Sequence, residues 1–250
     1  MKKSLLFIHF LANINHIDEL CLSEDIFFSA TAKMSDVCIE VKRERNDESM
    51  RTDDIFDAAK YIVALHFQAS RNYSCGRTKI EKLLAVADLI SQKKSDSFFP
   101  QYHLYINACG IGYGILAKLP NYFPMDNIIA GQDGETNRYN GKETIPLDVE
   151  PIQCDEKKQV PEKYVVDIKD HTLKEVLKDV FCMFGAYTAK QIGTTIDEFK
   201  EELKSAEPDP QNMKYYVSNE RVRTYFASKN SELYRTNAIV RYITDYQLEK

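Results

Sequence analysis

The stretch Arg77-Thr-Lys-Ile-Glu-Lys-Leu-Leu-Ala-Val-Ala-Asp-Leu-Ile90 decides the fold. Ile80, Leu83, Leu84, Ala87 and Ile90 recur at helical spacing, so one stripe of this segment is apolar. Lys79, Glu81, Lys82 and Asp88 occupy most of the remaining surface. The pattern predicts a helix buried along its stripe, packed against helices supplied by the flanking sequence.

Upstream, Thr52-Asp-Asp54 offers N-cap side chains for a helix from Ile55 to about Gln68, with Ile55, Ala58, Ala59, Ile62, Val63 and His66 on one face. Tyr73-Ser-Cys-Gly76 is a turn, and Lys93 to Ser97 ends the opening helix. His103 to Cys109 alternates like a strand, with Leu104, Ile106 and Ala108 on one side. Gly110-Ile-Gly-Tyr-Gly114 follows, then a short helical stretch, Ile115 to Leu119, stopped by Pro120. Residues 130–146 are rich in Gly, Asn, Asp and Glu and predict an exposed loop or hairpin.

Thr172 and Glu175 read as a capping box for a helix opening at His171, with Gly185 suited to its C′ position. Thr188 and Gln191 form a second box, for a helix to about Leu203. Pro208 and Pro210 break the chain, and helical patterns recur at Ser218–Ala227 and Ser231–Leu248. Before all of these, Ile26–Ala32 and Val37–Val41 are β-rich runs that predict a hairpin, and Lys42 to Arg51 is a solvated charged connection. The expected fold class is therefore α+β and predominantly helical. It consists of a compact helical domain with a short strand or hairpin element and a small β-rich N-terminal extension. The boundaries read from the chain are 1–51 for the extension, 52–204 for the helical domain and 205–250 for a C-terminal helical extension rich in Tyr and Arg.

The chain has 250 residues, 44% hydrophobic and 28% charged, which is globular composition. Its formal charge of -5 argues against phosphate-backbone binding as the main activity. With no Trp, aromatic burial falls to 15 Tyr and 13 Phe. The six cysteines are scattered without a C-x-x-C pair, which predicts free, mostly buried thiols in a reducing compartment; an even count would also permit disulfides in an exported chain. The apolar run after Lys2-Lys3 is short, is interrupted by His9 and lacks a small-residue cleavage site, so the expected location is the cytoplasm. No segment has the roughly 18 apolar residues of a membrane span.

Gly112-Tyr-Gly-Ile-Leu-Ala117 matches G-x-G-x-x-A after a strand-like segment, the local context of a dinucleotide-binding turn. The surrounding chain does not alternate strand and helix, so the preferred reading is a sharp glycine-permitted turn with close backbone packing. His9, His16, His66, His103 and His171 never fall at metal-ligand spacing with Cys, Asp or Glu. Cys109 has no basic partner nearby in sequence and reads as a small buried thiol. No catalytic, cofactor-binding or metal-ligating residue is assigned, and the expectation is a non-enzymatic chain without a cofactor. The last forty residues interleave Tyr215, Tyr216, Tyr225, Tyr234, Tyr242 and Tyr246 with Arg221, Arg223, Arg235 and Arg241. That mixture fits a protein interface, a surface for single-stranded nucleic acid, or an amphipathic helix pair with tyrosine at the core edge.

Asp54-Ile-Phe-Asp-Ala-Ala-Lys-Tyr-Ile62 followed by Thr78-Lys-Ile-Glu-Lys-Leu-Leu84 resembles the opening of the Panacea, or SocA-like, antitoxin domain. Val180-Phe-x-x-Phe-Gly-Ala-Tyr-x-Ala189 with Ile192 is similar to its later segment. The resemblance covers roughly residues 53–200 and departs at Gly110-Ile-Gly112, where the family carries an aromatic residue followed by Gly-Pro-Val. It implies a non-enzymatic protein that binds and neutralises a partner toxin, or delivers it to a protease as an adaptor. The residues expected to meet that partner are Lys79, Lys82, Tyr113, Tyr225, Arg221 and Arg223. The alternative is a phage- or mobile-element-associated nucleic-acid-binding protein using the Tyr/Arg-rich C-terminus.

Overall fold

The computed structural model describes residues 55–71, 73, 75–107, 110–114 and 144–248. All lie in the second of two units, Met1–Met50 and Arg51–Lys250. The expected N-terminal hairpin, the Thr52–Asp54 cap and the helix at 115–119 fall outside the described residues, as does most of the 130–146 loop.

The first helix, α1, spans Ile55–Gln68, and α2 spans Arg77–Lys94. Two short strands, β1 (Tyr105–Asn107) and β2 (Gly110–Gly112), pair antiparallel with Ile106 opposite Ile111. Helix α3 (His171–Phe184) and helix α4 (Ala189–Asp197) follow, the latter continued by a 3-10 turn, Lys200–Leu203. Strand β3 (Tyr215–Tyr216) joins the other side of β1, giving the sheet order β2-β1-β3. Helices α5 (Asn219–Phe226), α6 (Glu232–Thr236) and α7 (Ala238–Asp245) close the described chain. The result is the expected predominantly helical α+β fold, with seven α-helices and one small antiparallel sheet among the described residues.

Helix α2 is the centre of the core. It touches α1, α3, α4, α5, α7 and β2. The single stripe read from its sequence understates this, because every residue from Lys82 to Gln92 is buried, polar ones included. A helix ringed by neighbours has no solvent face, so its polar side chains need internal partners. The segment after residue 204 is equally integral, since α5 and α7 both pack on α2.

Local signals set most helix ends. The Thr188 box forms with both of its bonds: Thr188 Oγ1 accepts from the Gln191 N–H, and Gln191 Oε1 accepts from the Thr188 N–H at 3.0 Å. The box expected at Thr172 does not form. Asp170 caps α3 instead, its carboxylate accepting from the Leu173 N–H at 3.1 Å. Gly185 is the C-cap in the right-handed region, φ -63°, and not a left-handed C′ residue. The helix expected to run to Leu203 ends at Asp197, and the 231–248 pattern is split at Asn237. The Asn237 Oδ1 caps Val240 at 2.9 Å while its Nδ2 donates to the Thr195 carbonyl and the Glu198 carboxylate, both at 2.7 Å. Among the described residues no helix is long and apolar enough to cross a membrane.

Candidate functional site

Three of the six residues expected to meet a partner are buried: Lys79 is 2% exposed, Lys82 4% and Tyr113 6%. They serve the interior around α2. Lys79 donates to the Gly185 carbonyl at 2.5 Å, joining α2 to the end of α3. Burial drives its ammonium down from 10.5 to about 7, with Cys75 opposing the shift. The same surroundings push the Cys75 thiol up to about 12 by burial and hold His66 well below its usual range.

Lys82 converges with Asp197 on β2: a Cβ on Gly110 would stand 3.0 Å from Lys82 Nζ and 3.5 Å from Asp197 Oδ1. Glu81 packs on Gly112, where a Cβ would lie 3.0 Å from its carboxyl carbon, and accepts from the Gly114 N–H. The glycine run is thus a strand that admits α2 at close range. A carboxylate already occupies the Gly114 amide and disfavours a phosphate there, and β2 pairs antiparallel with β1 where a dinucleotide turn would lead from a parallel strand.

Tyr113 stands edge-on to Phe99, 5.8 Å away, and its buried hydroxyl lies against the Asp88 carboxylate and Ser97. Burial, then the Asp88 charge beside it, raises the phenol well above 10. Asp88 is itself fully buried, and burial raises its carboxyl. Opposing that shift, it accepts from Gln92 Nε2 at 2.7 Å, Ser97 Oγ at 2.9 Å and the Phe98 N–H at 2.7 Å. This network fixes the turn after α2.

The other three expected residues lie on α5. Tyr225 is half-buried and stacks on Phe199 at 6.2 Å, with burial pushing its phenol up to about 12. Arg221 and Arg223 are exposed. Arg223 Nη2 donates to the Ser95 carbonyl at 2.9 Å and to Asp96 Oδ1 at 3.2 Å. Just before α5 in the chain, Met213 is 72% exposed and Tyr216 42% exposed. Met213 has no signature in the sequence, because a lone apolar residue in a Pro- and Asn-containing turn carries no periodic signal. Its φ of 57° places the backbone in the left-handed region there. Elsewhere on the surface, the described residues include no group of three or more His, Cys, Asp or Glu placed to hold a metal ion.

Of the three described cysteines, all free, Cys75 is buried while Cys154 and Cys182 are half-buried. The expectation of mostly buried thiols therefore holds for only one of them. No family model, no curated protein and no solved structure matches this chain.

Proposed function

We propose that this chain is a cytoplasmic binding protein of the Panacea antitoxin type, which holds and neutralises a partner toxin. One observation carries the reading. The described parts of the two stretches that resemble the family form α1 to α4, and α1, α3 and α4 each pack on α2. A likeness spread over distant segments that converge on one core supports a common fold better than a single local motif does. The exposed Arg221, Arg223, Met213 and Tyr216 supply the surface, since Arg and aromatic side chains anchor protein interfaces. The nucleic-acid alternative is weaker, because Tyr225 and Tyr242 turn their rings against Phe199 and Phe184.

The test is co-expression with the neighbouring gene. That gene alone should arrest growth, and this chain should restore it. Arg221→Glu combined with Arg223→Glu should weaken the rescue. A harmless neighbour, or toxicity untouched by this chain, ends the antitoxin reading. A salt-dependent gel shift with single-stranded DNA would favour the alternative instead.

A further inference from the structure

We propose that Cys154 and Cys182 form a redox pair, which peroxide converts into a disulfide joining the 152–155 segment to α3. The pair is absent as a motif from the sequence, and the fold assembles it. The segment is stitched to the end of α1 by the Ser70 N–H to the Gln153 carbonyl, 2.9 Å, and by the Asp155 N–H to the Gln68 carbonyl, 2.8 Å. Ala69 and Cys154 face each other in an isolated antiparallel bridge. On the other side, the Ile152 N–H donates to the carbonyl of Cys182 itself at 2.8 Å. Cys154 is therefore clamped between α1 and α3, its sulfur 3.9 Å from the Leu65 carbonyl.

The two thiols interact directly. The hydrogen-bonding contact between the two side chains lowers the Cys182 thiol and raises that of Cys154, whose sulfur also faces the Leu65 carbonyl. Lys178, one turn before Cys182, adds positive charge, and its ammonium is held near by Glu156 at 2.6 Å. Asp179 and burial oppose it. Both residues are half-buried and so more open to a small oxidant than the enclosed Cys75.

Hydrogen peroxide is the oxidant. The Cys182 thiolate attacks one peroxide oxygen, the O–O bond breaks, and the departing hydroxide takes a proton to become water. The Cys182 sulfenic acid is then attacked by the Cys154 sulfur. The S–O bond breaks, a second water leaves, and the S–S bond forms. Two thiols and one peroxide give one disulfide and two waters. A thiolate with a lowered pKa beside a second thiol is the usual arrangement of a peroxide-sensing cysteine.

The experiment maps thiols on the intact chain. Folded protein is treated with hydrogen peroxide, its remaining thiols are alkylated, and its peptides are identified by mass spectrometry. The expected result is a peptide pair linked through Cys154 and Cys182, the loss of those two alkylation sites, and recovery of both with dithiothreitol. In Cys154→Ala, dimedone should capture Cys182 as the sulfenic acid. In Cys182→Ala, Cys154 should resist labelling. The proposal is overturned if both cysteines stay alkylatable after peroxide. It is equally overturned if either pairs with another cysteine, or if dimedone labels Cys154 in Cys182→Ala as fast as Cys182 in Cys154→Ala. Circular dichroism confirms that each variant is folded before it is scored.

Discussion

The ammonium of Lys79 rests on the carbonyl oxygen of Gly185, 2.5 Å away, inside the core. The contact ties the first turn of α2 to the C-terminal end of α3, where helix carbonyls carry partial negative charge. A larger residue does not fit at Gly185, because a Cβ there would lie 2.5 Å from the Phe181 carbonyl oxygen.

This burial makes stability depend on alkaline pH. The Lys79 pKa falls from 10.5 in the unfolded chain to about 7 in the folded one. Below the lower value both states hold the proton, and the cost of the buried charge is fully present. Between the two values only the unfolded state holds it, so stability rises with pH. The rise attributable to Lys79 is on the order of 5 kcal/mol. Lys79→Met removes the titrating group. Urea unfolding at the two ends of the window should show wild type gaining more stability than the variant. Parallel profiles would contradict a charge buried at this position.

His66 acts at the acid end. Its ring stands edge-on to Phe181 at 4.6 Å, and neither nitrogen has a hydrogen-bond partner among the described residues. Burial, with the Lys79 charge, keeps the folded pKa well below 6.5. As pH falls through 6.5 the unfolded chain takes up a proton that the folded chain refuses, and stability is lost. His66→Phe keeps a ring in place and removes the unpartnered nitrogens, each costing about 1–3 kcal/mol. The variant should melt higher at neutral pH and lose less in acid. A variant that melts lower throughout would show that the imidazole has a partner it needs.

Gly110 should tolerate substitution least among the described glycines of the α2 and β2 region. Its φ is 111°, and a Cβ would meet Lys82 Nζ at 3.0 Å. Gly110→Ala should cost about 1–3 kcal/mol. Gly76→Ala, with open space around it and φ -133°, should cost less, because the poorer N-cap is offset by the reduced freedom of the unfolded chain. Thermal melts of the two variants check the order, and equal melting temperatures would contradict the close approach of α2 to β2.

The cap of α3 gives a sharper comparison. Asp170→Ala should cost about 1 kcal/mol, because it removes the acceptor of the Leu173 N–H. Thr172→Ala, inside the first turn, should change stability by less than about 0.5 kcal/mol. The reverse order in chemical denaturation would restore the Thr172 box.

Some of this protein was determined by sequence alone. Helices α1 and α2 and the α4 cap were legible because periodicity and capping are settled within a few residues of chain. The tertiary structure decided the rest. Whether Lys79 and Lys82 point to solvent depended on Gly185 and Asp197, more than a hundred residues away in sequence. Asn237 breaks its helix while donating to Thr195 and Glu198, which belong to another element. Cys154 meets Cys182 only because their segments are laced to the same end of the core. A 3.6-residue period reports one packed face of a helix. It is silent about a helix packed on every side, where a polar side chain is buried only if a distant group arrives to satisfy it.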